Sequence, residues 1–349
     1  MSMSKTVLWL SVAALMAGAV PAAAQSRPRQ IRAARDGVRA ERVYGQSRET
    51  QTDRQTKTLK LGADGELALA NIAGDIVVTR ATGGDATVEI VKTARGRTVD
   101  EARESLGLVD VTVVERGGRA EVKTVYPRGE ERMTQHRRNM DVSVAYTVSA
   151  PAGTRLTIAS VSGSISVDGI KGDLSVNSVS GTVRLANAGR VSTAKSVSGN
   201  VEIVETQVDG GIEIQSVSGD VLLRKVNARR IEAGTVSGRV VVQDVQAERI
   251  EGHSVSGNVD YSGTLVKSGR YELTSHSGDV RVAIGPGVGF ELEASSFSGS
   301  VRSDLPLKSG ERDADETPGR HRTLRGMFGD GSAVIEVTTF SGNIVVSKR

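Results

Sequence analysis

The chain has 349 residues, of which 38% are hydrophobic and only 3% aromatic, and its formal net charge is +4. It contains no cysteine, which excludes a disulfide framework and a cysteine-ligated metal site. This length would suit two ordinary domains, but an internal repeat overrides that expectation.

The first 24 residues have the pattern of a secretory signal peptide. Lys5 provides the positive charge, Thr6 to Val20 are apolar, and Ala22 to Ala24 supply small residues before a cleavage site at Gln25. The apolar stretch is short for a membrane span. The sequence therefore predicts an exported protein, located in the periplasm or at the cell surface, with no transmembrane span after cleavage. An uncleaved anchor is the alternative.

Residues 25–58 are polar and rich in arginine. They carry nine positive and four negative charges with little apolar periodicity, so we expect a basic disordered segment. Such a segment can attract an anionic surface, and an exported protein meets an envelope surface more readily than nucleic acid. A soluble spacer is the alternative.

A four-residue motif organises the rest of the chain. It first occurs at Ser160 to Gly163, it is found nine times, and the first eight of its glycines lie 18 to 21 residues apart. Apolar residues alternate with period two on each side of it, which indicates two short half-buried strands per copy. The alternation changes phase at the central apolar residue, such as Val161, because that residue and the apolar residue three places before it cannot lie on one face of an unbroken strand. We therefore interpret the motif as a corner, supported by hydroxyl groups and by a glycine that adopts positive φ or permits close backbone approach.

The predicted fold is all-β: a single-chain, β-helix-like β-solenoid of about ten rungs over residues 59–349. Leu67 to Val78 fit the template as a degenerate first rung. Residues 80–150 depart from the repeat, and we expect an irregular N-terminal capping region with one short helix over Thr98 to Leu106, which begins with a capping box. Residues 151–303 hold the regular repeats, and residues 332–349 form the last rung.

Residues 304–331 interrupt the period with charges, prolines and glycines, so the sequence predicts a long inserted loop. Met327 and Phe328 are apolar residues in this polar setting, which makes them the candidate contact with a partner. The alternative is that Leu324 and Phe328 fold back and cover a rung.

Three stretches together resemble a known group of proteins: residues 159–185, residues 70–78 and residues 336–346. They are similar to bacterial β-strand-repeat domains of unknown function that are named as putative adhesins. The resemblance covers most of residues 59–349. It implies an exported β-solenoid-like domain without assigned catalytic residues, and it transfers no functional residue.

The sequence offers no catalytic constellation. A nucleophile is needed once, so nine recurring serines indicate a structural role. Asp220 and Asp279 follow corner glycines, but Asn, Ser and Arg take the same place in other copies, which is typical of a turn. His253 and His276 come near each other if the copies stack, yet no further ligand completes a metal set. No cofactor and no metal site are predicted.

These observations favour a non-enzymatic, adhesin-like binding protein that acts at the cell envelope through a rigid repeat surface. Its partner would be an envelope component or another protein, with a possible anionic surface contacted by residues 25–58. The alternatives are a structural scaffold or polymer-forming solenoid and, less favoured, a polysaccharide-active β-helix enzyme.

Overall fold

The computed structural model describes residues 48–127, 141–308 and 322–349. The predicted signal peptide, most of the basic segment, His136 and His321 lie outside these residues. No helix in the described part of the chain is long and apolar enough to cross a membrane.

The described residues form one helix, α1 (Val99–Leu108), and 25 strands. The strands are, in chain order, β1 (Glu49–Leu59), β2 (Glu66–Ala73), β3 (Ile76–Ala81), β4 (Ala86–Gly96), β5 (Asp110–Arg116), β6 (Arg119–Val125), β7 (Asp141–Pro151), β8 (Arg155–Ser162), β9 (Ile165–Asp168), β10 (Asp173–Ser180), β11 (Val183–Ala186), β12 (Arg190–Ser198), β13 (Val201–Gln207), β14 (Gly211–Ser218), β15 (Val221–Ser237), β16 (Val240–Gln243), β17 (Gln246–Ser256), β18 (Val259–Gly263), β19 (Arg270–Ser277), β20 (Val280–Ile284), β21 (Phe290–Ser298), β22 (Val301–Ser303), β23 (Arg322–Phe328), β24 (Ala333–Ser341) and β25 (Ile344–Lys348).

The fold is the predicted β-solenoid, and each rung consists of two strands joined at a motif corner. First strands pair in parallel with first strands of the neighbouring rungs, and second strands pair with second strands. The long strand β15 belongs to two rungs, because it runs from the second half of one into the first half of the next. Ten rungs carry a corner, and they stack in the order β2–β3, β8–β9, β10–β11, β12–β13, β14–β15, β15–β16, β17–β18, β19–β20, β24–β25 and β21–β22.

The stacking order departs from the chain order at one end. The rung β24–β25, expected to be the last, pairs with β19–β20 on one side and with β21–β22 on the other. Among the described strands, no pairing joins β19 to β21. The chain therefore passes over one rung position after Ile284, builds the outermost rung, and returns to fill the gap. Residues 332–349, which were expected to form the last rung, therefore hold the last place but one in the stack.

Six further strands extend the two ends of the stack: β6 and β7 join it in parallel, and β1, β4, β5 and β23 pair antiparallel. The hairpin β5–β6 extends one sheet beside β2, and β7, β4 and β1 extend the other beside β3. The predicted capping region and its helix are present. At the start of α1, the Thr98 hydroxyl accepts a hydrogen bond from the Glu101 N–H, and the Glu101 carboxylate accepts one from the Arg97 N–H. At the far end, β23 pairs antiparallel with β21.

Two segments that were expected to be irregular contain a strand near their C-terminal ends. The end of the basic segment forms β1, which pairs with β4 along its whole length. Charged residues take part in this pairing, since Arg54 lies 2.9 Å from Glu89 and Lys92 lies 3.3 Å from Asp53. An edge strand can gain backbone hydrogen bonds and cross-strand ion pairs without an apolar pattern, which is why the sequence did not reveal it. The predicted loop 304–331 likewise ends in strand β23.

Candidate binding surface

The motif corner is built differently from the prediction. In each copy the central apolar residue faces solvent, and the serine or threonine before it faces the core: Ser216 is 5% exposed and Val217 is 46% exposed. The predicted phase change at the central residue is therefore wrong. The inward alternation of the first strand continues through the hydroxyl residue, and the chain bends at the glycine two residues after the valine. A polar side chain thus occupies a buried place in every rung.

The buried hydroxyl groups join neighbouring rungs. The Ser216 Oγ donates to the carbonyl of Gly199 at 2.9 Å, and the Thr235 Oγ1 donates to the carbonyl of Gly219 at 2.9 Å. Equivalent bonds to corner glycines are made by Ser196, Ser254, Ser275, Ser296 and Thr339. The glycine carbonyl lies at a bend, and without the hydroxyl it would lack this hydrogen bond. This explains why a hydroxyl residue recurs in a core position.

The stack also contains an internal control for this bond. The buried Ser178 Oγ has no hydrogen-bond partner among the described residues. We expect Ser216→Ala to lower the free energy of unfolding by about 1–2 kcal/mol, because it removes a made bond and leaves a carbonyl unpaired. Ser178→Ala should be neutral or slightly stabilising, because it removes an unpaired buried hydroxyl. Urea unfolding of the two variants measures the difference, and equal losses would contradict it.

The outward residues of the ten corners form one continuous column, which we call the corner ladder. Its nine apolar members each keep 39% to 49% of their surface exposed. Parallel pairing places consecutive members about 4.8 Å apart. In stacking order the corner ladder consists of Ile72, Val161, Val179, Val197, Val217, Val236, Val255, His276, Phe340 and Phe297.

Three aromatic rings close one end of the corner ladder. The ring centroids of His276 and Phe340 lie 5.0 Å apart with an interplanar angle of 11°, and those of Phe340 and Phe297 lie 4.7 Å apart with an angle of 5°. Rings stacked in this way cover one another's faces and turn their edges to solvent. The corner ladder therefore ends in a ridge of three stacked rings.

The columns of residues beside the corner ladder carry mostly small or uncharged side chains. The residue after each ladder member is serine in nine rungs and Ala73 in the first. The outward residues two places before are small or polar, and the single lysine among them, Lys195, is paired with Glu213 at 2.7 Å. An apolar partner would thus meet few charges that need to be desolvated.

Charge begins four residues before the corner ladder. The first four rungs carry alanine, threonine or serine there, whereas the next six all carry glutamate. This glutamate column consists, in stacking order, of Glu213, Glu232, Glu251, Glu272, Glu336 and Glu293. Four of the six glutamates are ion-paired: Glu213 with Lys195, Glu232 with Arg230, Glu251 with Arg230 and Arg249, and Glu293 with Arg325.

The polar residues after the corner glycines hold the next rung. The Asp220 carboxylate accepts from the backbone N–H of Arg239 at 2.8 Å, and the Asp279 carboxylate accepts from that of Asn343 at 2.9 Å. Burial acts to raise the pKa of Asp220, but hydrogen bonds from Arg239 outweigh it and hold that pKa below its ordinary value. These carboxylates serve rung-to-rung bonding, which agrees with their interpretation as turn residues.

The two described histidines do not form a pair. The His276 ring stacks on Phe340. The His253 ring lies over Gly234 of the preceding rung and therefore points away from the rung of His276. Among the described residues, no group of three or more His, Cys, Asp or Glu could hold a metal ion.

Met327 and Phe328, the candidate contact from the sequence, lie in β23 and not in a loop. Met327 is 44% exposed, whereas Phe328 packs on the core and its ring centroid lies 5.4 Å from that of Phe290. Leu324 is also partly buried against the core. Phe328 thus folds back onto the core, as the alternative interpretation expected. A partner contact at Met327 stays a prediction. The corner ladder, which the sequence contains in full, was missed because its members were assigned to the interior.

Ten stacked rungs, seven of them with a hydroxyl-bonded corner, define a single-chain β-solenoid built from a repeated serine–glycine corner. The chain belongs to the Toastrack DUF4097 family, whose sequence pattern matches residues 52–243 and 225–347. No curated protein matches the chain in sequence.

Several solved structures are similar over most of the chain. A putative cell adhesion protein from Clostridium sporogenes is 13% identical, with 86% of this chain and 100% of that chain covered and a TM-score of 0.29. A putative adhesin from Parabacteroides distasonis is 10% identical, with 85% and 97% covered and a TM-score of 0.39. A putative lipid binding protein from the same species is 12% identical, with 85% and 97% covered and a TM-score of 0.35. At this identity and overlap, we draw no functional conclusion from these proteins.

Proposed function

We propose that this protein is an exported, non-enzymatic, adhesin-like binding protein that acts at the cell envelope through its rigid repeat surface. The observation that carries the proposal is the corner ladder, with nine apolar side chains exposed by 39% to 49%. Contiguous apolar patches are uncommon on soluble monomers and mark interaction sites. Hydrogen bonds between the rungs already order this surface, so binding need not supply the free energy to order it.

Export and the envelope location rest on the chain before the solenoid. Residues 1–24 have the pattern of a signal peptide, and residues 25–47 contain six arginines and two acidic residues. Basic residues near an anionic membrane contribute on the order of 1 kcal/mol each, and salt screens this attraction. The basic segment therefore supplies a second, salt-sensitive contact beside the apolar one.

The two alternatives from the sequence receive less support. A scaffold formed by end-to-end stacking needs open edges, but the outer strand β1 exposes the charged residues Asp53, Arg54 and Lys57, which oppose strand addition. A polysaccharide-active enzyme needs carboxylates on one face that are available for acid–base chemistry. Asp220 and Asp279, the candidates from the sequence, are engaged in bonds between rungs. Four of the six members of the glutamate column form ion pairs with basic residues.

The proposal is tested by co-sedimentation with isolated envelope fragments and with vesicles that contain phosphatidylglycerol. We expect Val217→Asp to weaken binding to envelope fragments by at least about tenfold at every salt concentration, because it places a charge in the apolar contact. The control is Val77→Asp, which changes a valine that is 38% exposed and lies outside the corner ladder.

A chain that begins at Arg48 tests the basic segment without removing β1. We expect it to lose only the salt-sensitive part of the binding, most visibly on the anionic vesicles. If neither the shortened chain nor the ladder variant differs from the full mature protein, the proposed function is wrong.

A further inference from the structure

We propose that a groove on the second corner of the solenoid binds a neutral, extended oligosaccharide of β-1,4-linked pyranose units. The second corner is the place where the second strand of one rung passes into the first strand of the next rung. The groove is separate from the corner ladder, so this inference goes beyond the proposed function. Three observations carry it: the shape of the groove, the free polar groups along its walls, and the spacing of those groups.

The groove is a cavity of about 260 Å³ that crosses three consecutive second corners, with Val266 of the next one in its lining. Its floor is apolar: Val208 and Ala247 are buried, and Ala228 between them is half-buried. The residues before and after each floor residue are exposed, as expected where successive side chains alternate in direction. Two columns of outward side chains therefore form the walls, about 7 Å apart, and the alanines leave room between them.

The walls carry polar side chains that the fold itself does not use. Amide side chains, in register on neighbouring rungs, form one wall: Gln207, Asn227 and Gln246. Charged side chains form the other wall: Asp209, Arg229 and Glu248. Within the described part of the chain, no hydrogen bond or ion pair engages any of these six side chains. By contrast, Arg230 and Arg249, each one residue beyond the charged wall, are both paired with Glu251.

Free donors and acceptors along both walls, above an apolar floor, select the class of ligand. In a β-linked pyranose chain the hydroxyl groups project from the edges of each ring, and C–H bonds cover the faces of the ring. One face of such a chain can rest on the floor while the hydroxyls along its edges bind both walls. Side-chain amides donate and accept hydrogen bonds, as hydroxyls do. One basic and two acidic side chains leave little net charge in the groove, which favours a neutral chain.

The spacing of the walls favours a sugar chain over a peptide. Neighbouring rungs lie about 4.8 Å apart, which is close to the length of one pyranose unit in an extended β-1,4-linked chain. Each sugar can therefore meet one amide and one charged residue. An extended peptide advances about 6.6 Å for every two residues, so the groups along one of its edges fall out of step with the rungs. Among the described residues, none that lines the groove is aromatic, so we expect weak binding.

The test is calorimetric titration of the full mature protein with cellohexaose and with chitohexaose, which are neutral, extended and β-1,4-linked. We expect at least one of them to bind with a dissociation constant of about 1 mM or below. Maltohexaose, whose α-1,4 links curve the chain away from the line of the groove, should bind at least about tenfold more weakly. Absence of binding by both extended sugars, or equal binding of maltohexaose, would overturn the proposal.

Two variants place the sugar in the groove. Asn227→Ala removes the central amide and should raise the dissociation constant about fivefold, and Ala228→Leu fills the floor and should abolish binding. Gln243→Ala, which changes an exposed amide outside the groove, should leave binding unchanged. Urea unfolding checks the fold, and Asn227→Ala should unfold like the parent because its side chain makes no bond within the described chain. Parent-like binding by both groove variants would put the sugar elsewhere and overturn the proposal.

The remaining outcomes separate the groove from a peptide site and from the corner ladder. An extended peptide of alternating serine and alanine is titrated in parallel, and peptide binding that depends on Asn227, without sugar binding, would overturn the sugar as ligand. Val217→Asp, the variant that tests the proposed function, should bind the hexasaccharides like the parent. Loss of sugar binding in that variant would move the site to the corner ladder and overturn the groove. If neither sugar binds, the proposed function still stands on its own test with envelope fragments.

Discussion

Val221→Asp is expected to unfold the solenoid or to prevent its accumulation as a soluble protein. Val221 is 0% exposed, and its partners on the adjoining rungs, Val201 and Val240, are equally buried. A carboxylate in this stack would have no counter-ion and no water, so we expect a loss of more than about 4 kcal/mol in the free energy of unfolding.

The control for Val221→Asp lies four residues away in the same rung. Val217 has the same side chain but is 46% exposed, so Val217→Asp should change the free energy of unfolding by less than about 0.5 kcal/mol. Soluble yield, circular dichroism and urea unfolding compare the two variants. Similar behaviour of the pair would mean that the inner and outer faces of the rungs are assigned wrongly.

Gly219→Ala is expected to cost about 2–3 kcal/mol, because the corner glycines lie directly over one another. A Cβ atom on Gly219 would come within 2.3 Å of the carbonyl oxygen of Gly199 and 2.6 Å of its carbonyl carbon. Both are backbone atoms of the neighbouring rung, so relief requires the rungs to separate. Gly219 is not among the residues with positive φ, and the requirement for glycine here therefore comes from close approach alone.

Gly210→Ala provides the matched control for this substitution. A Cβ atom on Gly210 would meet nothing within 4 Å, and its φ is not in the left-handed region. We expect no loss and a small gain of stability from the reduced freedom of the unfolded chain. Thermal unfolding of the two alanine variants decides the matter, and a comparable decrease in both would contradict the stacking explanation.

The rung count and the buried strand positions followed from the sequence because they depend on side-chain period. Ile212, Ile214, Val221 and Leu223 alternate as buried residues must, and the structure places all four in the core. The direction of Val217 did not follow from the sequence, since a valine flanked by serines fits an inward or an outward position equally well. In the structure, the hydrogen bond from Ser216 to Gly199 of the preceding rung favours the serine in the buried place.

Other features depend on contacts between copies and were hidden for that reason. In the copy around Val197, Ser192 holds a place that is apolar in other copies. A register shift after Leu174 pairs Leu174 with Val191 instead, and the buried Val191 keeps the core filled. The edge strand β1 and the position of β24–β25 are likewise determined by which strand lies beside which. A template that every copy satisfies contains no information about its neighbours.

The displaced rung limits the order in which the molecule can assemble. A simple repeat array can add rungs one after another, each templated by the one before. Here β21–β22 has no earlier rung to pair with, because its neighbour β24–β25 is synthesised after it. We infer that this end of the solenoid closes in a single step. In that step residues 333–348 enter the gap and pair with β19–β20 on one side and with β21–β22 on the other. Until then the strands on both sides of the gap keep unpaired edges. The insertion of residues 333–348 pairs these edges, which completes the fold and prevents them from pairing with other chains.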